Sequence, residues 1–254
     1  MSDLNTRIPS GSNVTQRTDM KPAFSVDLLE SILQTANIAE AWKRVRANKG
    51  AAGIDGMTID DFPAWAKDGN WPRILAELRS EQYQPSPVRR VEIDKPDGGT
   101  RQLGIPTIVD RVIQQAIAQV LTPIFDPTFS DNSFGFRPNR NGQQAVKQVQ
   151  GIIKTGRRYA VDVDLSKFFD RVNHDLLMTH LGYKVKDKRV LRLIKRYLRA
   201  RVIDPPFTVK VGKVFHKAGR YRRCWPISCS ILWTKNWRNE ATGLLGMRMI
   251  LPFW

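Results

Sequence analysis

The sequence predicts an α+β fold, in which helices are mixed with a few short strands. Three observations support this prediction. Several segments carry apolar residues at helical spacing, a glycine turn separates two short strand-like segments, and one further short segment alternates apolar with acidic residues. Because the strand candidates do not alternate regularly with helices, a doubly wound parallel sheet is not favoured.

In the first half of the chain, residues 26–48 have the apolar spacing of a helix. Glycines at 50, 53 and 56 predict a loop, and residues 59–78 predict a helix that breaks near residues 69–72. Two prolines keep residues 83–87 extended. Residues 88–93 and 101–105 then flank Pro-Asp-Gly-Gly, which predicts a β-hairpin.

The second half is predicted to be mainly helical, with helices over residues 107–125, 143–155, 173–181 and 188–201. A strand is predicted over residues 160–166. In the first of these helices one apolar face is predicted to join the core, and it carries Val112, Ile113, Ala116 and Val120.

Composition is that of a globular protein. The chain has 254 residues, of which 41% are hydrophobic, whereas residues 1–22 are polar and are expected to be disordered. No apolar run has the length of a membrane span, and the N-terminus lacks the apolar segment of a signal peptide. Two cysteines do not indicate a disulfide framework. We therefore expect a cytoplasmic protein without a membrane partner.

Positive charge is concentrated in two segments of the chain. The formal net charge is +17, and residues 184–201 hold nine Lys and Arg residues against one Asp. Residues 205–254 hold another nine against one Glu. Such density favours a polyanionic partner, because phosphate binding releases counterions. The alternative is a solvated helix face.

Acidic residues line one face of the predicted strand over residues 160–166. Asp162 and Asp164 alternate with Val161, Val163 and Leu165. A carboxylate at the end of an apolar strand costs free energy unless a cation or hydrogen-bond donors meet it. Mg²⁺, which is often held by one or two carboxylates and substrate phosphates, would meet this need. The alternative is an edge strand whose aspartates are solvated.

Residues 160–175, AVDVDLSKFFDRVNHD, resemble the first catalytic motif of reverse transcriptases encoded by group II introns. Residues 50–56, 93–107, 110–116 and 133–138 resemble earlier blocks of that family, in the family's order. The resemblance covers residues 30–204. It implies the fingers and a partial palm of a right-hand polymerase, preceded by an N-terminal helical extension. It also implies RNA-directed DNA polymerase activity and intron RNA binding that assists splicing.

The resemblance assigns roles to residues around the predicted strand and hairpin. Asp164 is implied as the catalytic Mg²⁺ ligand, with Asp162 a weaker second candidate. Lys95 and Arg101 are implied to grip the incoming deoxynucleotide triphosphate, and Phe169 to exclude a ribose 2′-hydroxyl. The alternative for the basic pair is a surface hairpin with ordinary exposed charges.

Further arginines are candidate contacts to RNA template or DNA primer. Arg111 is expected either to form a local salt bridge or to face the template backbone. Arg137 and Arg140 lie in a predicted loop and are candidates for primer or template phosphates. The neighbouring rings of Phe134 and Phe136 are expected to be core anchors.

The helix predicted over residues 188–201 separates apolar from basic residues. Its apolar residues Val190, Leu191, Ile194, Tyr197 and Leu198 predict a face packed on the palm. The other face is predicted to bind RNA phosphates without reading sequence. Its basic residues are Lys188, Arg189, Arg192, Lys195, Arg196 and Arg199.

The family's second catalytic motif, an aromatic residue followed by Ala-Asp-Asp, is absent from this sequence. Residues 246–250, GMRMI, are encoded by codons that give Tyr-Ala-Asp-Asp when read from the third base with suitable wobble bases. We hypothesise a frameshift between Pro205 and Arg223. Because two-metal phosphoryl transfer needs several carboxylates, little polymerase activity is expected of this chain.

These observations predict four regions: a disordered N-terminus (residues 1–22), a helical extension (23–80), fingers and partial palm (81–204), and an aberrant, poorly ordered tail (205–254). The first interpretation is a truncated group II intron reverse transcriptase. The alternatives are a non-catalytic RNA-binding, maturase-like remnant and a fragment that barely folds.

Overall fold

The computed structural model describes residues 27–94, 98–157, 159 and 172–203. The helices are α1 (Leu28–Leu33), α2 (Thr35–Ala47), α3 (Phe62–Trp65), α4 (Trp71–Arg79), α5 (Ile108–Phe125), α6 (Gly142–Lys154), α7 (His174–Lys184) and α8 (Lys188–Leu198). The strands are β1 (Val88–Asp94), β2 (Thr100–Ile105) and β3 (Val202–Ile203). The predicted α+β class is confirmed.

The strands form one sheet in the order β2-β1-β3. Strands β1 and β2 pair antiparallel from Arg89 opposite Ile105 to Asp94 opposite Thr100, which confirms the predicted hairpin. Gly98 and Gly99 adopt φ of 86° and 81°, values that glycine reaches without steric cost. Strand β3, which was not predicted, pairs parallel with β1. Its two residues are too few to leave a periodic signal.

Helix α5 lies at the centre of the core and packs against α1 and α2. Its predicted core face is confirmed, since Val112, Ile113 and Ala116 are fully buried and Val120 packs at the edge. The helix begins where the Thr107 hydroxyl accepts a hydrogen bond from the Asp110 N–H, at 3.2 Å. This is an N-cap, which occupies an otherwise unpaired backbone donor.

The prediction of a single helix over residues 26–48 is wrong, because the structure has two helices there, α1 and α2. Gln34 separates them with a ψ of 136°, which is extended backbone. The Asn37 amide donates to the Ile32 carbonyl at 2.8 Å and to the Ala116 carbonyl at 3.1 Å. The break therefore depends on a contact with α5. No helix-breaking residue in the sequence predicts it.

An aromatic cluster holds the segment that follows α2. The Phe62 ring lies 4.5 Å from Trp42 and 5.6 Å from Trp71, centroid to centroid. The predicted break between α3 and α4 is confirmed as a π-helical turn over Ala66–Asn70, in which Gly69 has a φ of 79°. Burial of these rings fixes α3 and α4 against α2.

The predicted strand over residues 160–166, the N-terminus and the segment from residue 205 lie outside the described residues. Within the described ranges, no helix combines the length and apolar character needed to cross a membrane.

Candidate functional site

The loop over residues 50–53 lies against the start of α5 and holds Arg111. The Arg111 guanidinium donates to the Ala51 carbonyl at 2.7 Å. A Cβ at Gly53 would lie 2.7 Å from the Thr107 Cα, and one at Gly50 would lie 2.5 Å from Arg111 Nη1. The glycines therefore permit close packing, and Arg111 fastens the loop to the helix. The local salt bridge and the contact to the template backbone that the sequence suggests for Arg111 stay predictions.

A buried polar network surrounds Asp110, which is only 1% exposed. This network was not predicted from the sequence. The carboxylate accepts from the Tyr83 hydroxyl at 2.7 Å, the Thr107 hydroxyl at 2.7 Å and the Ser86 N–H at 3.1 Å. Burial raises the pKa of Asp110, and these three donors act in the opposite direction. The network joins α5 to the segment before β1. The sequence signal for this network is an Asp that lies three residues after the Thr that caps α5.

Arg137 clamps the loop between α5 and α6. Its guanidinium bonds the Asp126 carboxylate, at 2.8 Å from Nε, as well as the Asp126 backbone carbonyl. It also donates to the carbonyls of Ser130 and Ser133, and the side chain is 7% exposed. The sequence suggested a phosphate contact for Arg137. The structure instead gives this guanidinium internal acceptors.

The expectation that Phe134 and Phe136 anchor the core is wrong. Phe136 is 83% exposed and has a φ of 57°, a strained value for a residue with a side chain. Phe134 is half-buried beneath the Arg140 guanidinium, which lies 5.5 Å from the ring centroid. Arg140 also bonds the Asp131 carbonyl at 3.2 Å. The clamped loop thus presents one aromatic ring and one partly exposed arginine.

Helix α8 has the two faces that the sequence predicts. Val190, Ile194 and Tyr197 are fully buried, as is Leu193, which the sequence reading left out. Leu191 and Leu198 are only half-buried. The helix is capped by Asp187, whose carboxylate accepts from the N–H groups of Arg189 and Leu29, each at 3.0 Å.

Two of the predicted RNA-binding residues on α8 are engaged within the protein. Arg189 pairs with Asp187 at 3.0 Å and with Asp27, and Arg192 bonds Glu81, at 2.6 Å from Nη2. Partial burial opposes ionisation of Asp187, but hydrogen bonds from Arg189 and two backbone N–H groups prevail and lower its pKa. The Arg192 hydrogen bond lowers the pKa of Glu81. The sequence shows these charges, but it does not show that Asp27 and Glu81, which are distant along the chain, are their partners.

The remaining basic residues of α8 face solvent or the segment before β1. Lys188, Lys195 and Arg199 are exposed, and none forms an ion pair with another described residue. Arg196 donates to the Tyr83 carbonyl at 3.2 Å. Spacings of four, three and four residues align Lys188, Arg192, Lys195 and Arg199 along one side of the helix. We call these four residues the α8 basic row.

The catalytic and nucleotide-binding predictions fall largely outside the described residues, as Lys95, Asp162, Asp164 and Phe169 do. Arg101 lies in β2, paired with Ile93 of β1, on the predicted hairpin. Within the described ranges, no group of three or more His, Cys, Asp or Glu residues is arranged to hold a metal ion.

Comparison with known proteins identifies the family. The family model described as "Reverse transcriptase (RNA-dependent DNA polymerase)" matches residues 93–225. Protein YkfC of Escherichia coli is 36% identical over 184 residues, which are 70% of this chain and 48% of YkfC. Group II intron-encoded protein LtrA of Lactococcus lactis is 35% identical over 167 residues, 65% of this chain and 27% of LtrA. The chain thus spans about half of the first relative and about a quarter of the second.

The fold is also found among solved structures. A chain of the partial Cas6-RT-Cas1--Cas2 complex matches 86% of this chain, with a TM-score of 0.55 and 20% sequence identity. The match covers 36% of that longer chain and supports the predicted polymerase fold. The chain belongs to the reverse transcriptase family, and its relatives include a group II intron-encoded protein, as its motifs predict.

Proposed function

We propose that this chain forms the fingers and part of the palm of an RNA-directed DNA polymerase of the group II intron type, and that it binds RNA through α8. In the intact polymerase, a primer 3′-hydroxyl attacks the α-phosphate of a deoxynucleotide and releases pyrophosphate. Binding of intron RNA would also assist splicing. The family match over residues 93–225 supports the assignment. We also propose a cytoplasmic location for the chain.

The α8 basic row is the observation that carries the RNA-binding proposal. From Lys188 to Arg199 the row spans about 16 Å, at about 1.5 Å per residue. The opposite side of the helix is buried, so the row is held in place. A line of positive charge on a fixed helix suits a phosphate backbone and does not read bases. Lys188, Lys195 and Arg199 would make the main contacts, because Arg192 is paired with Glu81.

The loop before α6 supports a second contact to nucleic acid. An exposed aromatic ring is a platform on which an unpaired base stacks, and Phe136 presents such a ring. Arg140, which lies over the Phe134 ring in the same loop, would contact a phosphate. Arg111 and Arg137 would act by positioning their loops, given the backbone carbonyls that they bond.

For chemistry, we propose that Asp164 holds Mg²⁺ with help from Asp162. Polymerases use divalent metal ions, and carboxylate oxygens are ligands that Mg²⁺ prefers. The bound ion would stabilise negative charge that develops on the transferred phosphate. Lys95 and Arg101 would hold the triphosphate of the incoming deoxynucleotide, and Phe169 would screen its sugar.

We further propose that residues 1–254 on their own incorporate little or no nucleotide, because they contain no Tyr-Ala-Asp-Asp sequence. Two-metal catalysis requires several carboxylates, which Asp162 and Asp164 alone do not supply. A frameshift between Pro205 and Arg223 would account for the lost motif. Nucleotide sequencing of the gene tests this: an in-frame gene without an out-of-frame Tyr-Ala-Asp-Asp would rule out the frameshift.

RNA binding as a function of salt concentration tests the α8 basic row. Replacing Lys188 and Lys195 by Ala removes two phosphate contacts, and each contact to a single strand contributes about 0.7 to the slope of log affinity against log salt. The slope should therefore fall by about 1.4. Replacing Lys43 and Arg46, exposed residues on α2, makes the same charge change elsewhere. Equal slopes for the two double variants would contradict the proposal.

The second candidate function is RNA binding without catalysis. Primer extension with RNA template, DNA primer, deoxynucleotides and Mg²⁺ separates the two candidates. Salt-dependent RNA binding without extension would favour the non-catalytic function. Robust extension would refute both that function and the predicted loss of activity. The shared buried core of α1, α5 and α8 argues against a fragment that barely folds.

A further inference from the structure

We propose that a cleft at the C-terminal end of α8 binds a phosphate group of RNA, together with the sugar attached to it. This inference rests on the proposed RNA-binding role of α8, because Arg199 belongs both to the α8 basic row and to the cleft. The cleft has a volume of about 380 Å³. Its lining includes Gln84, Pro85, Pro87, Arg196, Arg199 and Arg201.

The charge of the cleft favours an anion. Among the described residues, three arginines line it and no aspartate or glutamate does. Arg199 and Arg201 are exposed and form no ion pair with another described residue. The end of a helix carries partial negative charge, but here carbonyls of the last turn accept from the N–H groups of Arg199 and Ala200. Three guanidinium groups outweigh that contribution and exceed the charge of one phosphate.

The walls of the cleft are fixed before any ligand arrives. Arg196 is held by the Tyr83 carbonyl at 3.2 Å, and Tyr83 in turn bonds the buried Asp110. On the other side, the Arg201 carbonyl accepts from the Val88 N–H at 2.7 Å, where β3 joins β1. The two lining segments are thus tied to each other. Arg196 is therefore a pre-organised donor, which loses little freedom on binding, and the backbone that carries Arg201 is fixed.

The remaining lining suits a sugar next to the phosphate. Pro85 and Pro87 have no N–H donor and offer rigid apolar surfaces, and Gln84 offers an amide. A volume of about 380 Å³ lies at the small end of ligand sites.

Two short RNAs of one sequence, with a 5′-phosphate or a 5′-hydroxyl, test the proposal with the full chain. Arg201 lies outside the α8 basic row, so Arg201→Ala affects only the cleft. We expect this variant to bind the phosphorylated RNA about tenfold more weakly, because a charge-assisted hydrogen bond is lost. Arg201→Lys should recover only part of the affinity, because an ammonium lacks the two-pronged geometry. Arg46→Ala, an exposed arginine on α2, is the matched control.

Each outcome has a defined meaning. A loss confined to the phosphorylated RNA supports a terminal phosphate, and an equal loss with both RNAs supports an internal phosphodiester. Unchanged binding by a folded Arg201→Ala protein, together with no competition by inorganic phosphate, overturns the proposal. The α8 basic row is tested separately by the Lys188 and Lys195 double variant. If only the double variant leaves RNA binding unchanged, the proposal for the α8 basic row is refuted and the proposal for the cleft is retained.

Discussion

Replacing Asp110 by Ala should destabilise the protein more than any exposed substitution. The change leaves the hydroxyls of Tyr83 and Thr107 and the N–H of Ser86 without their acceptor. Tyr83 and Thr107 are buried, so neither hydroxyl readily finds water, whereas Ser86 is only half-buried. An unsatisfied buried donor costs about 1–3 kcal/mol.

Two such donors give a loss of about 2–6 kcal/mol. Burial of the carboxylate itself is unfavourable in the native protein, and its removal offsets part of this loss. We therefore expect the free energy of unfolding to fall by about 3 kcal/mol. Asp110→Asn keeps one acceptor oxygen but places an amide against the donors, so it should cost about half as much.

Urea denaturation followed by circular dichroism measures the effect. The midpoint should shift while the slope with urea stays constant, which identifies a change in stability rather than in compactness. Asp60→Ala, at an exposed site, is the control and should change the free energy by less than about 0.5 kcal/mol. If Asp110→Ala and Asp60→Ala shift the midpoint equally, the buried network does not stabilise the fold.

Three further predictions concern the other contacts. Arg137→Ala should cost about 3 kcal/mol, because it strands the Asp126 carboxylate, and limited proteolysis should then cut the loop before α6 faster than in the parent protein. Gly53→Ala should destabilise strongly, because its Cβ meets backbone, whereas Gly50→Ala meets only the flexible end of Arg111; equal thermal midpoints would contradict this contrast. The pKa of Asp187 is lowered in the folded protein, so its stabilising contribution is present above the ordinary Asp pKa and is lost as pH falls through the folded value. Asp187→Asn should therefore flatten the acid limb of stability against pH, and an unchanged limb would count against the ion pair.

Local patterns allowed much of the fold to be predicted. Helix α5 has both an apolar period and a capping threonine, and the hairpin has its glycine pair, so neither depends on distant residues for recognition. The break at Gln34 could not be predicted in this way, because it depends on Asn37 reaching a carbonyl of α5. The exposure of Phe136 could not be predicted for a related reason: hydrophobicity predicts burial on average, but the Arg137 clamp determines where this loop points.

The candidate site was only partly readable for the same reason. The sequence located the basic residues of α8, but it did not show that Arg192 is paired with Glu81, which lies 111 positions earlier. Nor did it show that Tyr83 and Arg201 bring their segments together around one cleft. Charge is a property of each residue, whereas ion pairing and enclosure arise only from tertiary structure.

The cap shared by α1 and α8 has a consequence for synthesis of the protein. The Leu29 N–H reaches its acceptor on Asp187 across 158 positions of the chain. During translation, α1 therefore leaves the ribosome long before Asp187 and α8 are synthesised. Until then its apolar face has no α8 to pack against. Since α1 has only six residues, it is too short to persist as an isolated helix. Completion of this core is thus a late event in folding, when α8 emerges and closes the chain upon itself.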